Sequence, residues 1–130
     1  MKRVLIAEDN ELLANLWSRA LAAEKFEVVH ARDGEEVVTM AQASDYDLIL
    51  MDIMMPKLDG LEACRRIQEK TSRPPKVIFV SCLARSADIA EANSMRAADF
   101  LVKGRFSLAY LVTRVATVLE GPFNFTPAAA

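Results

Sequence analysis

Five polar residues suited to phosphoryl chemistry directly follow short apolar runs of the chain. They are Glu8 and Asp9 after the first run, Asp52 after the third, Ser81 after the fourth and Lys103 after the fifth. Three carboxylates placed together repel one another, and a divalent cation relieves that repulsion. Hard oxygen ligands favour Mg²⁺, and a carboxylate can act as the nucleophile that forms an aspartyl phosphate. A lysine ammonium and a serine hydroxyl could then balance the charge on the phosphoryl oxygens.

The apolar runs that carry these residues alternate with stretches of helical spacing. The runs cover Arg3–Ala7, 26–30, 47–51, 76–80 and Asp99–Val102. Strand and helix repeated in this order predict βαβ units around a parallel sheet. The first, third and fourth runs are almost wholly apolar, as expected of strands covered on both faces. In open α/β sheets ligands bind beyond the carboxyl ends of the strands, which is where the polar residues would meet.

Five helices are predicted between and after the strands. The first can be capped by Asn10, and the second begins after Asp33 in a capping-box-like arrangement with Glu36. The fourth, over residues 87–95, is poor in large apolar residues. The residues whose spacing marks the first, third and fifth helices are Leu12, Leu13, Leu16, Trp17, Ala20 and Leu21, then Leu61, Cys64, Arg65 and Ile67, then Leu108, Leu111, Val112, Val115 and Leu119.

Composition narrows the class of protein further. The chain has 130 residues, 52% hydrophobic and 26% charged, with a net charge of −2. That size and apolar content predict one globular domain with a core of its own. The weak acidic balance predicts no direct binding of nucleic acid and no attraction to a membrane surface. With two cysteines, no signal sequence and no long apolar run, we expect a cytoplasmic protein with reduced thiols.

The motifs together resemble the receiver domain of two-component response regulators, the CheY-like family. The resemblance is carried by VLIAEDN at residues 4–10, LILMDIMMPKLDG at 48–60, VSC at 80–82 and DFLVKG at 99–104. It implies a flavodoxin-like, doubly wound α/β fold, with five parallel strands in the order 2-1-3-4-5 and five helices. We expect the receiver domain to span residues 2–120, and we expect residues 121–130 to form a disordered tail.

The resemblance also implies a Mg²⁺ site. Glu8 and Asp9 would hold the ion, directly or through water. Asp52 would be a further ligand, and the backbone carbonyl of Met54 would be the third protein ligand.

Phosphorylation roles follow from the same resemblance. Asp52 would accept the phosphoryl group, Ser81 would bond one of its oxygens, and Lys103 would pair with it. Phe100 would be the switch aromatic of the family.

Some positions depart from the family pattern or stand outside it. Gly104 replaces the usual proline after Lys103, and a cis bond before a non-proline residue costs about 2.5–4 kcal/mol, so we expect a trans peptide there. Arg96 stands where a glycine usually ends the fourth helix, so we expect that end to close differently. Cys82 is larger than the usual residue and is expected to narrow access to the phosphoryl group. His30, the only histidine, is expected at the surface, far from the acidic pocket.

The function that these features favour is a phosphorylation-controlled binding module. A histidine kinase or a histidine phosphotransfer protein would supply the phosphoryl group, and the output would be a separate protein or a covalently linked domain. We expect no enzymatic activity beyond its own phosphotransfer and slow autodephosphorylation. The alternative within the fold is a phosphorylation-independent pseudo-receiver. A flavodoxin is disfavoured because Glu8, Asp9 and Asn10 replace its hydroxyl-rich phosphate loop, and a haloacid-dehalogenase phosphatase is disfavoured because a DxD pattern is absent from the first strand.

A face made of the fourth helix, the fifth strand and the fifth helix could support homodimerisation. Asp99 and Arg114 could contribute to a charge network across a dimer, as in some DNA-binding regulators. Tyr110 stands where those regulators tend to carry an acid. We therefore expect a monomer or a weak homodimer. Arg65 and Arg66 are expected on a solvated helix face.

Overall fold

The structure is a computed structural model and describes residues 1–120. The predicted tail over residues 121–130 lies outside the described residues. Strands and helices alternate from the beginning of the chain, as the apolar pattern predicts. They are β1 (Arg3–Ala7), α1 (Glu11–Ala23), β2 (Glu27–Ala31), α2 (Gly34–Ala43), β3 (Leu48–Asp52), α3 (Gly60–Lys70), β4 (Lys76–Ser81), α4 (Ser86–Ser94), β5 (Asp99–Val102) and α5 (Leu108–Leu119).

All five strands pair in parallel in the order β2-β1-β3-β4-β5. This confirms the predicted doubly wound sheet. The register aligns Asp52 with Val80 and Ser81 with Val102. The carboxyl ends of β1, β3, β4 and β5 therefore lie along one edge of the sheet, and the polar residues that follow them come together there.

Two apolar cores cover the two faces of the sheet. Alternating strand residues such as Leu5, Ile49 and Phe79 pack against α2, α3 and α4. The residues between them, such as Ile6 and Leu50, pack against α1 and α5. Both faces of the central strands are therefore buried, which explains why these strands are apolar along their whole length.

The buried face of α1 differs from the predicted stripe. Leu12 is 71% exposed and Leu16 is 43% exposed, so the expectation that they face the core is wrong. The buried residues are Ala14, Trp17 and Leu21. The helix is rotated so that the small Ala14 allows close packing, and the two leucines lie to one side of the contact. In α5, Leu108 is likewise exposed and Val118 is buried.

The end of α4 corrects the prediction made for Arg96. Arg96 adopts a left-handed conformation with φ 60°, which is the conformation expected of a glycine. Its N–H donates to Asn93 O at 3.0 Å, and the N–H of Ala97 donates to Ala92 O at 3.1 Å. These are the two bonds of a Schellman motif. Helix termination therefore outweighs a steric cost of about 1–2 kcal/mol for a residue with a side chain.

None of the described helices is long and apolar enough to cross a bilayer. Over residues 1–120 every peptide bond is trans, including that between Lys103 and Gly104, as predicted. Gly104 has φ 79°, a conformation that suits glycine.

Candidate functional site

Three carboxylates and one lysine meet at the carboxyl edge of the sheet. Glu8 and Asp9 follow β1, and Asp52 ends the neighbouring strand β3. One oxygen of each lies within 4.8 Å of the others. Lys103, which follows β5, places its Nζ 2.6 Å from Glu8 Oε1 and 3.1 Å from Asp52 Oδ2. The structure thus brings together four of the residues that the sequence singled out.

The three acids differ in their exposure. Glu8 and Asp52 are buried, whereas Asp9 is exposed. Both oxygens of Glu8 are engaged, because Oε1 contacts Lys103 and Oε2 accepts the N–H of Asn10 at 2.9 Å. Asp52 Oδ1 accepts the N–H of Met54 at 3.3 Å. Asp9 therefore offers the most accessible carboxylate to a ligand that arrives from solvent.

Burial and charge shift the ionisation of this cluster. Burial raises the pKa of Glu8 to about 7, although the hydrogen bond from Lys103 opposes the shift. The pKa of Asp52 is also raised by burial, against the attraction of the Lys103 ammonium. Burial alone would lower the pKa of Lys103, but its bonds to Glu8 and Asp52 outweigh that effect and raise it. Lys103 thus stays charged, and it balances one of the three acids.

This donor set fits a hard divalent cation. Three carboxylates facing one ammonium leave an excess of negative charge, part of it buried. Oxygen ligands in that arrangement suit Mg²⁺, which takes a few protein ligands and keeps several waters. The hydrogen bond between Asp52 and Met54 places the Met54 peptide beside the cluster. The residues predicted as ligands are therefore adjacent to one another.

A cleft of about 510 Å³ opens next to Asp52 between the loops that follow β3 and β4. Ser81, buried at the end of β4, lies in its wall, and its Oγ accepts the N–H of Leu83 at 3.3 Å. The cleft is also lined by Asp9, Met54 and Leu83. The lining of this cleft therefore combines a buried hydroxyl with exposed apolar side chains.

The comparisons with known proteins identify the family. The model of the response regulator receiver domain matches residues 4–116. The chain belongs to the response regulator receiver family. The family resemblance drawn from the four sequence motifs is therefore confirmed, together with the CheY-like fold.

Curated relatives and solved structures agree with this assignment. The chain is 35% identical over 116 residues to the uncharacterized transcriptional regulatory protein YcbL of Bacillus subtilis, and 33% identical over 120 residues to the response regulator ArlR of Staphylococcus epidermidis. These matches cover 89% and 92% of this chain but 50% and 53% of the relatives. The receiver thus spans about half the length of the curated relatives that it matches.

Receiver structures superpose over most of the chain. The Francisella response regulator 1452 receiver domain matches with a TM-score of 0.83 and 27% identity, over 92% of this chain and 98% of that one. The response regulator TrrA of Thermotoga maritima, solved in complex with Mg²⁺ and BeF, matches with a TM-score of 0.80 and 28% identity, over 92% and 100%.

Two residues of the receiver lie elsewhere than the sequence predicted. His30 is not far from the acidic pocket, since its Nε2 lies 2.7 Å from the backbone oxygen of Glu8. The register pairs His30 with Ile6 on the adjacent strand β1, so the predicted strand order already contained this signal. Cys82 is exposed and does not line the cleft, so it does not narrow the entrance as expected.

Charged residues on the helices also form contacts within the chain. Arg114 Nε lies 2.6 Å from Asp99 Oδ2 within the chain, and Asp99 is buried. Arg65 is not simply solvated, because it bridges Glu62 of α3 and Glu91 of α4. Phe100 is half-buried and packs against the core beside α4.

Proposed function

We propose that this receiver accepts a phosphoryl group on Asp52, in an Mg²⁺-dependent reaction with a histidine kinase or a histidine phosphotransfer protein. The observation that carries the proposal is the position of the Asp52 carboxylate, buried at the strand end between Lys103 and the acids after β1. The related TrrA was solved in complex with Mg²⁺ and BeF, which supports the same chemistry in this chain.

Asp52 would act as the nucleophile. One of its carboxylate oxygens attacks phosphorus, and the bond from phosphorus to the donor nitrogen breaks. The electron pair stays on the imidazole nitrogen of the donor. Asp52 and the Met54 carbonyl, with Glu8 and Asp9 directly or through water, would hold Mg²⁺. The ion would reduce the repulsion between the acceptor and the incoming phosphoryl group.

Two further side chains would hold the transferred group. Lys103 now pairs with Asp52 and Glu8, and it would pair with a phosphoryl oxygen after transfer. Ser81 would donate its hydroxyl hydrogen to another oxygen. Phe100, between the sheet and α4, would couple this change to a protein-interaction surface as the switch residue. We expect the domain to act in the cytoplasm, and to have no catalytic activity beyond its own phosphotransfer and dephosphorylation.

Intact-mass analysis after incubation with phosphoramidate or acetyl phosphate tests the proposal. We expect one phosphoryl group on the wild-type protein with Mg²⁺, and none on Asp52→Asn or with a chelator present. Asp88→Asn is the matched control, because Asp88 lines the same cleft outside the carboxylate cluster. Equal phosphorylation of Asp52→Asn would contradict the assignment. Failure to bind beryllofluoride with Mg²⁺ would instead indicate a pseudo-receiver.

A further inference from the structure

The loop between β3 and α3, residues 53–59, carries Met54, whose carbonyl we propose as a metal ligand. Its two ends are joined, since the N–H of Gly60 donates to Ile53 O at 2.8 Å. A Cβ on Gly60 would lie 2.1 Å from Asp52 O, so the loop returns very close to the phosphoacceptor strand. The base of the loop is therefore fixed against Asp52.

The far end of the loop is a strained turn. The N–H of Leu58 donates to Pro56 O at 2.8 Å, and Lys57 between them has φ 71°. A hydrogen bond from residue i+2 to residue i around a positive φ is the rare and strained kind of γ-turn. Such strain persists only where the surroundings hold the backbone in place, and it concentrates at functional sites.

The N-terminus of α2 supplies that restraint. The N–H of Gly34 donates to the same Pro56 O at 3.3 Å, and Lys57 Nζ pairs with Asp33 Oδ2 at 3.5 Å. A Cβ on Gly34 would lie 1.9 Å from Leu58 O and 2.6 Å from Leu58 Cβ. Only a residue without a side chain allows this approach. With alanine, the loop or the helix would retreat by about 1 Å, because Cβ atoms almost never come within 3.0 Å of another heavy atom.

We propose that Gly34 is a positioning residue for the metal site, and that it keeps the Met54 peptide beside Asp52 by clamping the γ-turn at Lys57 against α2. The inference rests on the proposed function. Mg²⁺ demands nearly ideal ligand geometry, so a loop displaced by about 1 Å presents its carbonyl poorly. Supporting residues that orient metal ligands typically change affinity by about 10–100-fold when they are replaced.

Calorimetric titration of Mg²⁺ into the full chain tests this role. We expect Gly34→Ala to bind Mg²⁺ at least about tenfold more weakly than the wild type. Ala41→Gly is the matched control, because it weakens the last turn of the same helix away from the loop. It should lose stability in urea but retain the wild-type affinity. An affinity of Gly34→Ala within twofold of the wild type would overturn the proposal.

A second variant decides the matter if Gly34→Ala does not fold. Lys57→Asn removes the ion pair with Asp33, and asparagine tolerates the positive φ of this position. We expect a two- to fivefold loss of Mg²⁺ affinity and, without Mg²⁺, a shift of the Met54 methyl resonance in ¹³C-methionine spectra. An unchanged affinity and an unshifted resonance would contradict the clamp. If Asp52→Asn binds Mg²⁺ as tightly as the wild type, the proposed metal site is wrong as well. If Asp52→Asn loses Mg²⁺ affinity but Gly34→Ala and Lys57→Asn do not, only the clamp is wrong.

Discussion

The loops after β3 and β4 flank the same cleft, but the helices that follow them are anchored very differently. α3 is capped by Asp59, whose side chain accepts the N–H of Glu62 at 2.9 Å. The helix buries residues along its length, Ile67 among them. α4 begins after Arg85 with no side-chain cap, and Ala92 is its one buried residue. The helix that follows Asp52 is therefore held by a cap and several buried side chains, whereas the helix that follows Ser81 has neither a side-chain cap nor more than one buried side chain.

Polar contacts replace apolar burial in holding α4. Arg65 of α3 bonds Glu91 of α4, and Gln68 Nε2 donates to Met95 O at 2.8 Å. Bonds of this kind at a partly exposed surface break more easily than a buried apolar contact. Segments with little buried apolar surface open locally at a low cost in free energy. We therefore expect α4 to be the helix that moves most readily when the domain is phosphorylated. Asp52 itself would remain in place.

The largest expected effect is a difference between matched isoleucine variants of the two helices. Ile67→Ala deletes a fully buried side chain and should lower the free energy of unfolding by about 2–5 kcal/mol. Ile89→Ala in α4 removes a half-buried side chain and should cost about 1 kcal/mol. Urea denaturation of both variants measures the difference. Equal losses would show that α4 is as well anchored as α3.

The next effect concerns the lifetime of the phosphorylated state, to which both loops contribute. Met54 and Leu83 stand two residues beyond Asp52 and Ser81, line the cleft and are 57% and 48% exposed. Neither side chain carries a strong hydrogen-bond donor or acceptor with which to orient an attacking water. We therefore predict slow self-dephosphorylation, with decay about ten- to thirtyfold faster in Met54→Asn/Leu83→Glu, a change of about 1.4–2 kcal/mol in the barrier.

The decay is followed by intact mass after the phosphodonor is removed. Replacing Leu108 by asparagine is a control, because this leucine is exposed on α5 and does not line the cleft. Wild-type decay within seconds, or no acceleration in the double variant, would show that the two apolar residues do not limit hydrolysis.

A smaller effect is expected from removing the N-cap of α3 and adding an N-cap to α4. Asp59→Ala should destabilise α3 by about 1 kcal/mol, because its first turn loses a hydrogen-bond acceptor. Arg85→Asp should stabilise α4 by a similar or smaller amount, because a cap is added where none exists. Thermal unfolding detects both shifts, which should have opposite signs. If Arg85→Asp instead lowers the stability of the protein, the lack of a side-chain cap is not what limits the stability of α4.

The smallest effect is expected from the tether between α3 and α4. Arg65→Ala should leave global stability almost unchanged, because the ion pairs are partly exposed. Amide hydrogen exchange in α4 should nevertheless become faster. Arg66→Ala is the matched control, since Arg66 pairs with Glu62 within α3. Unchanged exchange in α4 would show that apolar contacts alone hold this helix.

The local pattern of residues was sufficient to predict most of the architecture. The short apolar runs placed all five strands within one residue of their observed ends, because a strand in a parallel sheet must bury most of its side chains. Asp33 caps α2 as predicted, since a capping bond depends on residues close in sequence. Glu8, Asp9, Asp52, Ser81 and Lys103 could be singled out for a related reason, because each stands at or just beyond the carboxyl end of a strand.

Contacts between distant segments were beyond the reach of that pattern. Leu12 and Leu16 lie on the exposed side of α1 because the packing of Ala14, not the count of apolar residues, orients the helix. Arg96 accepts a strained backbone because two carbonyls at the end of α4 need donors. Residue spacing describes one element at a time. The approach of Gly34 to Leu58 joins two elements, and it exists only because the packed fold brings the end of one against the turn of another.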